Sequence, residues 1–457
     1  MTRTTIRSED ITDGQIKSAD LASDAVDTTS LETDIALLGF KVAANGSLAA
    51  YNLKDQTIDA FEDASGIDSS ASTDEARNAA NYYSASGESY VAKGGGAGGN
   101  RVGNASGPAE LQDGSDGGSG GGGGVDLNGD GHTTDGGSSN KNTYSGWLSY
   151  GYEGGQGQHI AGSHEGGGGG GSPNQTGRHA ATSTGGNGST GYETGISGTS
   201  TYYGQGGPGS GNSDGSAAAN GGASAWSAGA ANTGRGGGAN GAGGSGVMYI
   251  KYTPSGGSAT TDSFTSSGTW TVPASTTQAD VFMIGGGGAG GNGNPSAGGG
   301  GGGAVLRNTT FAVTPGHSWT VTIGTGGTVS ASVNDKGTNG GDTSFTFSPA
   351  AMTLVSNATT AESTPTKGDI VMTYTNGAGT ATVNTDLKAY VSRDNGTTWT
   401  QATLSSEGTT GGHTILTAHN VDISSQPSGT SMRYKIETLN QSASKETRIQ
   451  AVSLGWS

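Results

Sequence analysis

Asp126, Asn128 and Asp130, in the run DLNGDGH, put oxygen ligands at positions 1, 3 and 5 of a Ca²⁺ loop, with Gly131 at position 6. Such a loop needs an acid at position 12, where Gly137 stands, and Asp135 falls at position 10. Two readings follow: calcium on Asp126, Asn128, Asp130 and Asp135, or a plain Asn/Asp/Gly turn. Seven His occur without an HExxH spacing. His159, His164 and Glu165 form either a surface metal site or hydrated loop residues. Many GxG fragments occur, but none follows a strand and opens a helix leading to GK[ST] or to a ribose-binding acid. Nothing supports a nucleophile with its base and orienting partner. The expectation is therefore no enzyme, no catalytic residue, and no cofactor beyond calcium.

Aromatics are the second candidate chemistry. Tyr144, Trp147, Tyr150 and Tyr152, then Tyr192, Tyr202 and Tyr203, lie between glycine runs. On loops of a rigid scaffold such rings stack on sugars or fit a membrane-protein receptor. Equally, they plug the scaffold or an interface between chains. Tyr144, Trp147, Tyr150, Tyr152, Tyr202 and Tyr203 are the receptor-contact candidates.

What positions these groups is glycine. The chain of 457 residues has 92 Gly and only 30% hydrophobic residues, which excludes one large conventional core. The glycines are clustered: residues 94–246 hold 55 and residues 285–303 hold 13, against 4 in 1–86 and 9 in 348–457. Strand-like text frames both clusters. SYVAK enters GGGAGG, and GAGGSGVMYIKY closes the first segment. In the second, the apolar run ADVFMI reads as a buried strand before the glycines, and AVLRNTTFAVTPGHSWTVTIGTGG supplies two alternating strands after them. Extended threefold helices of the polyproline II type point every N–H and C=O outward, and without Cβ atoms they can pack and bond side by side. This resembles the polyglycine sandwich of glycine-rich phage adhesins. A flexible Gly/Ser linker is the alternative, although a linker needs no strand at both ends.

Ile6, Ile11, Ile16, Leu21, Val26 and Leu31 recur every five residues, a period of neither helix nor strand. One chain cannot bury that series on a regular face, but several identical chains could do so at a shared axis. The wording ITDGQIKSADLASDAV resembles N-terminal repeats of phage tail fibres, which implies particle attachment and a homotrimer; a disordered acidic leader is the alternative. Residues 35–88 read as a joint, with a brief helix over STDEARNAANYY capped by Ser72 or Thr73.

From residue 349 the chain reads as an antiparallel β domain, for example Met432, Tyr434 and Ile436 alternating with Arg433, Lys435 and Glu437. NTDLKAYVSRDNGTTWTQATL and SGTSMRYKIETLNQSASKETRIQAVSLGW resemble C-terminal domains of marine phage structural proteins. Within it, SRDNGTTW is similar to the Asp-box of sialidases. A single copy without a blade repeat favours a structural turn, with Asp394 bonding backbone, Gly396 taking positive φ and Trp399 packing beneath.

A net charge of −17 repels nucleic acid and anionic membranes, Cys is absent, and neither a signal-peptide core nor a membrane-spanning stretch is found. The expected fold is mainly β, multidomain and fibrous, with polyglycine II-type units framed by strands and a C-terminal antiparallel β-sandwich or jelly roll. Expected boundaries are 1–34 (attachment and trimerisation), 35–88 (joint), 89–253 and 262–347 (glycine-rich) and 349–457 (C-terminal). The expected function is a phage tail fibre of the virion, made in the host cytoplasm. Its partners would be itself as a homotrimer, tail or baseplate proteins and a host cell-surface receptor, with no nucleic acid and no membrane insertion. Alternatives are a purely structural head fibre or filament subunit, an extracellular bacterial adhesin, which should carry a secretion signal, and an ice-binding protein.

Overall fold

The computed structural model describes residues 38, 50–53, 55–85, 87–102, 111–127, 133–160, 164–181, 183–332, 335–442 and 444–457. The five-residue repeat of 1–34 lies outside them. The described chain is mainly β, built of several antiparallel sheets, and divides into two compact units, residues 1–87 with 348–457 and residues 88–347.

The first unit is a sandwich. One sheet runs Ala50–Leu53, Gln56–Asp59, Glu446–Trp456, Lys367–Ala378, His413–Asp422 and Ser405–Thr410, and the hairpin Glu75–Asn78/Tyr82–Ala85 joins it at Glu446–Trp456. The facing sheet runs Ala351–Val355, Ser431–Leu439, Leu387–Ser392 and Thr400–Ala402. Alternation delivers the core: Met432, Tyr434 and Ile436 point inward against Ile370, Met372, Leu416, Val452 and Leu454. Residues 50–85 are thus part of this domain, where a separate joint was expected.

The helix expected over residues 74–83 is a β-hairpin. Two asparagines decide it: Asn78 accepts from the Ala80 N–H at 2.9 Å, and Asn81 takes φ 58°. Tyr83 then reaches the core edge-on to Phe61, burial that outweighs the helix propensity of EARNAAN. Ser72 serves a strand in place of a cap, its hydroxyl accepting the Val355 N–H at 2.9 Å.

The second unit pairs a β-sandwich with the glycine runs. One sheet orders Thr260–Phe264, Val247–Tyr252, Gln278–Ile284, Val305–Ala312 and Leu148–Tyr150; the other orders Gly268–Thr271, Ser318–Thr322, Thr343–Phe347 and Glu88–Ala92. Val281 to Ile284, the second half of Gln278–Ile284, is buried on both faces. Ala279, Val281 and Met283 meet Trp270, Trp319 and Phe345 of the second sheet, while Phe282 and Ile284 meet Tyr203 and Ile196 on the other side. Such rings contribute roughly 1.5–3 kcal/mol each on burial. The two strands after the second glycine run do not pair as a hairpin; Thr314-Pro315-Gly316 carries the chain from one sheet to the other.

Candidate functional site

Strand after strand of this sandwich runs directly into glycine: Glu88–Ala92 into 94–99, Gln278–Ile284 into 285–291, and 297–304 into Val305–Ala312. The segment 297–304 shows what the glycines do. Gly298, Gly301 and Ala304 donate their N–H groups to Gly99, Gly96 and Lys93; Gly299 and Gly302 donate to Gly168 and Gly171; Gly300 and Gly303 donate to Gly237 and Gly234, all at 2.8–2.9 Å. Its carbonyls accept from Gly122 and Ser119, from Gly207 and Ser210, and from Gly291, Gly288 and Gly285. Each neighbour is addressed by every third residue, the repeat of a threefold extended helix. Six segments surround the seventh, and hydrogen bonds cross every contact.

Side chains are excluded there by distance. A Cβ at Gly299 would lie 2.0 Å from the Gly207 carbonyl oxygen, at Gly301 2.3 Å from that of Ser119, and at Gly302 1.8 Å from that of Gly204. The lattice borders carry the polar side chains. Asn339 Oδ1 accepts the Ala97 N–H at 2.9 Å, and Ser210 Oγ accepts the Ala297 N–H at 2.9 Å. Because 297–304 is bonded to segments from 93 to 237, the two glycine-rich stretches form one body in place of the separate units 89–253 and 262–347. Backbone pairing leaves no side-chain pattern in the sequence from which this merger could be read.

The aromatic candidates separate sharply. Trp147, 8% exposed, stacks on Tyr90 at 4.5 Å and lies 5.4 Å from Phe311 inside the sandwich. Tyr203, 2% exposed, packs against Phe282 at 5.2 Å and donates its hydroxyl to Tyr249 at 3.1 Å. Tyr150 is half-buried 5.0 Å from Tyr192. The half-buried Tyr144 hydroxyl accepts from the Val91 N–H at 3.2 Å. Burial of Trp147 and Tyr203 corrects their reading as receptor contacts, since the sheet faces supply the apolar cover that a loop of small residues lacks, while Tyr144 and Tyr150 pack half-buried against the same sandwich. Tyr152 remains 44% exposed, with Lys141 Nζ 5.7 Å above its ring. Half-buried Tyr202 donates to Glu193 at 2.7 Å; the hydroxyls of Ser200 and Tyr202 hold that carboxyl below its ordinary range.

Of the calcium candidates, Asn128 and Asp130 lie outside the described residues. Asp126 ends the short strand Val125–Asp126, and Asp135 accepts from Gln156 Nε2 at 3.0 Å. Glu165 is paired with Arg101 at 2.7 Å. Among the described residues no group of three His, Cys, Asp or Glu is close enough to hold a metal ion.

In the first unit, the SRDNGTTW turn is held by its own side chains. Asp394 accepts from the Thr398 N–H at 2.9 Å and hydroxyl at 2.7 Å, while Ser392 donates to Asp394 at 2.7 Å and accepts the Gly396 N–H at 2.9 Å. Burial raises the Asp394 carboxyl, but these donors outweigh it and hold it below its ordinary value. Asn395 and Gly396 take φ 61° and 82°, and a Cβ on Gly396 would lie 3.0 Å from Trp399. Arg393 is buried with its guanidinium donating to the carbonyls of Pro365, Ser424, Gln426 and Pro427, so it rivets the neighbouring loop.

Sequence reasoning missed one exposed ring. Trp226, 38% exposed, sits on the lattice margin with its indole N–H 2.8 Å from Asp214 Oδ2. The available signal was a solitary Trp in the small-residue run SAAANGGASAWSAGA.

The fold and the backbone lattice define a mainly β protein with a glycine-rich domain. The family model described as a glycine-rich domain matches residues 260–446. No curated protein and no solved structure matches the chain.

Proposed function

We propose that the chain is a non-enzymatic structural protein of a virion, a phage tail fibre that attaches to the host through its glycine-rich and C-terminal domains. The observation that carries the reading is the run Gly298–Gly303, which has no side chain and is bonded to neighbours on six sides. Such a body is stiff without a large apolar interior, which suits an appendage that works outside a cell. Residues 1–34, with their five-residue apolar period, would join three chains and dock on tail or baseplate proteins. Labelled full-length chain is expected to adsorb to host cells, and antibody to the chain to mark the tail in negative stain. Failure of both would contradict the reading.

Burial of Trp147 and Tyr203 favours a second reading, a head fibre or filament subunit without receptor contact. It predicts antibody label on the head or along a filament, and no adsorption.

A further inference from the structure

Trp226 holds φ 68°, a left-handed backbone that a bulky residue adopts only under constraint. The other such residues outside glycine are mostly Asn and Asp, which tolerate it. Strain of this kind is normally offset by burial of the side chain, yet this ring is exposed. Its neighbours lock it in place. The Trp226 N–H bonds to Ala239 O at 3.0 Å, Gly238 N–H bonds to Ser227 O at 3.0 Å, and Asp214 fixes the indole edge. Ser224, whose hydroxyl lies 2.9 Å from that of Ser227 in the same turn, and Asn240, next to the Ala239 that accepts the Trp226 N–H, are both exposed. Trp147, Trp270, Trp319 and Trp456 are buried and Trp399 is half-buried, so this is the one exposed indole of the chain.

We propose that Trp226 is the stacking platform of a site for a neutral saccharide, with Asp214 setting the ring. A rigid aromatic face bordered by hydroxyl, amide and carboxylate groups matches a sugar's C–H face and its hydroxyl rim. A protein partner would need several apolar anchors over a broad patch, and this loop offers one. The charge of −17 disfavours an anionic sugar. The proposal rests on the attachment reading for where such a sugar is met.

The test is fluorine NMR of the full chain carrying 5-fluorotryptophan, with Trp226→Phe identifying the resonance. The probes are maltotriose, cellotriose and triacetylchitotriose at millimolar concentration. The expected result is a saturable shift confined to Trp226 for at least one probe, about tenfold weaker in Asp214→Ala. No shift with any probe, or a shift equally strong in Asp214→Ala, overturns the proposal. Adsorption of the Trp226→Ala chain to host cells is read separately. Sugar binding by the wild-type chain with no adsorption removes the attachment reading and leaves the site; adsorption with no sugar binding does the reverse.

Discussion

Gly301 donates its N–H to the carbonyl of Gly96 at 2.8 Å, although nearly all of the first glycine-rich segment lies between them in the chain. The bond is one rung of a ladder in which 298, 301 and 304 meet 99, 96 and 93. Neither glycine has room for a methyl group: a Cβ on Gly301 would lie 2.3 Å from the Ser119 carbonyl oxygen and one on Gly96 1.9 Å from that of Ser115.

Gly301→Ala should therefore lower stability by more than ~3 kcal/mol, the upper end of ordinary overpacking, because the obstructing atom is a backbone carbonyl held by its own bonds. Gly195→Ala is the control: nothing lies within 4 Å of a Cβ there, and its φ is not positive. Thermal denaturation should show a large fall for the first and a change within ~0.5 kcal/mol for the second.

Trp147→Ala should behave as a core truncation, costing about 3–5 kcal/mol in denaturant unfolding. Tyr152→Ala, at an exposed ring, should stay within ~0.5 kcal/mol. Equal, small effects for both would contradict the placement of Trp147 between Tyr90 and Phe311.

Asp59 is buried beneath Gly66, with the Phe61 N–H at 2.9 Å and the Tyr434 hydroxyl at 3.5 Å as its hydrogen-bond partners. Burial pushes its carboxyl from 3.8 up to about 7. The folded state therefore holds a proton that the unfolded state releases, and stability falls as pH rises from about 4 to 7, by up to roughly 1.4 kcal/mol per pH unit. Asp59→Asn keeps the acceptor for Phe61 and removes the charge. It should abolish this slope and be the more stable protein at pH 8, as urea midpoints across the range will show.

Asp394→Ala deletes the bonds to the Thr398 N–H and hydroxyl and frees Ser392. A loss of about 1–3 kcal/mol is expected, measured by calorimetry, with the turn at Asn395 and Gly396 loosened. An unchanged melting curve would show that Arg393 alone secures this corner.

How much of this could be read from residue order depends on whether side chains take part. Alternation marks the strands around the glycines, and the buried run at 281–284 shows directly as apolar text. The SRDNGTTW turn is likewise local, since its ligands lie within a few residues of Asp394. The lattice is different: glycine carries no pattern that could tell Gly168 from Gly237 as a partner of the central run, so two merged segments read as two. Residues 75–85 mislead because alanine and arginine favour helix locally, while Asn78 and Asn81 set the turn. Trp226 was hidden by its low-complexity surroundings, and Trp147 and Tyr203 looked exposed because their covering strands lie far away in the chain.

The central claim is that the glycine runs form a hydrogen-bonded solid, and amide hydrogen exchange at Gly299–Gly302 tests it most directly. These amides should exchange as slowly as those of Val281 and Met283 in the doubly buried strand, because both open only when the whole unit opens. Exchange at the rate of an unstructured glycine peptide would contradict the lattice and return the runs to flexible linker.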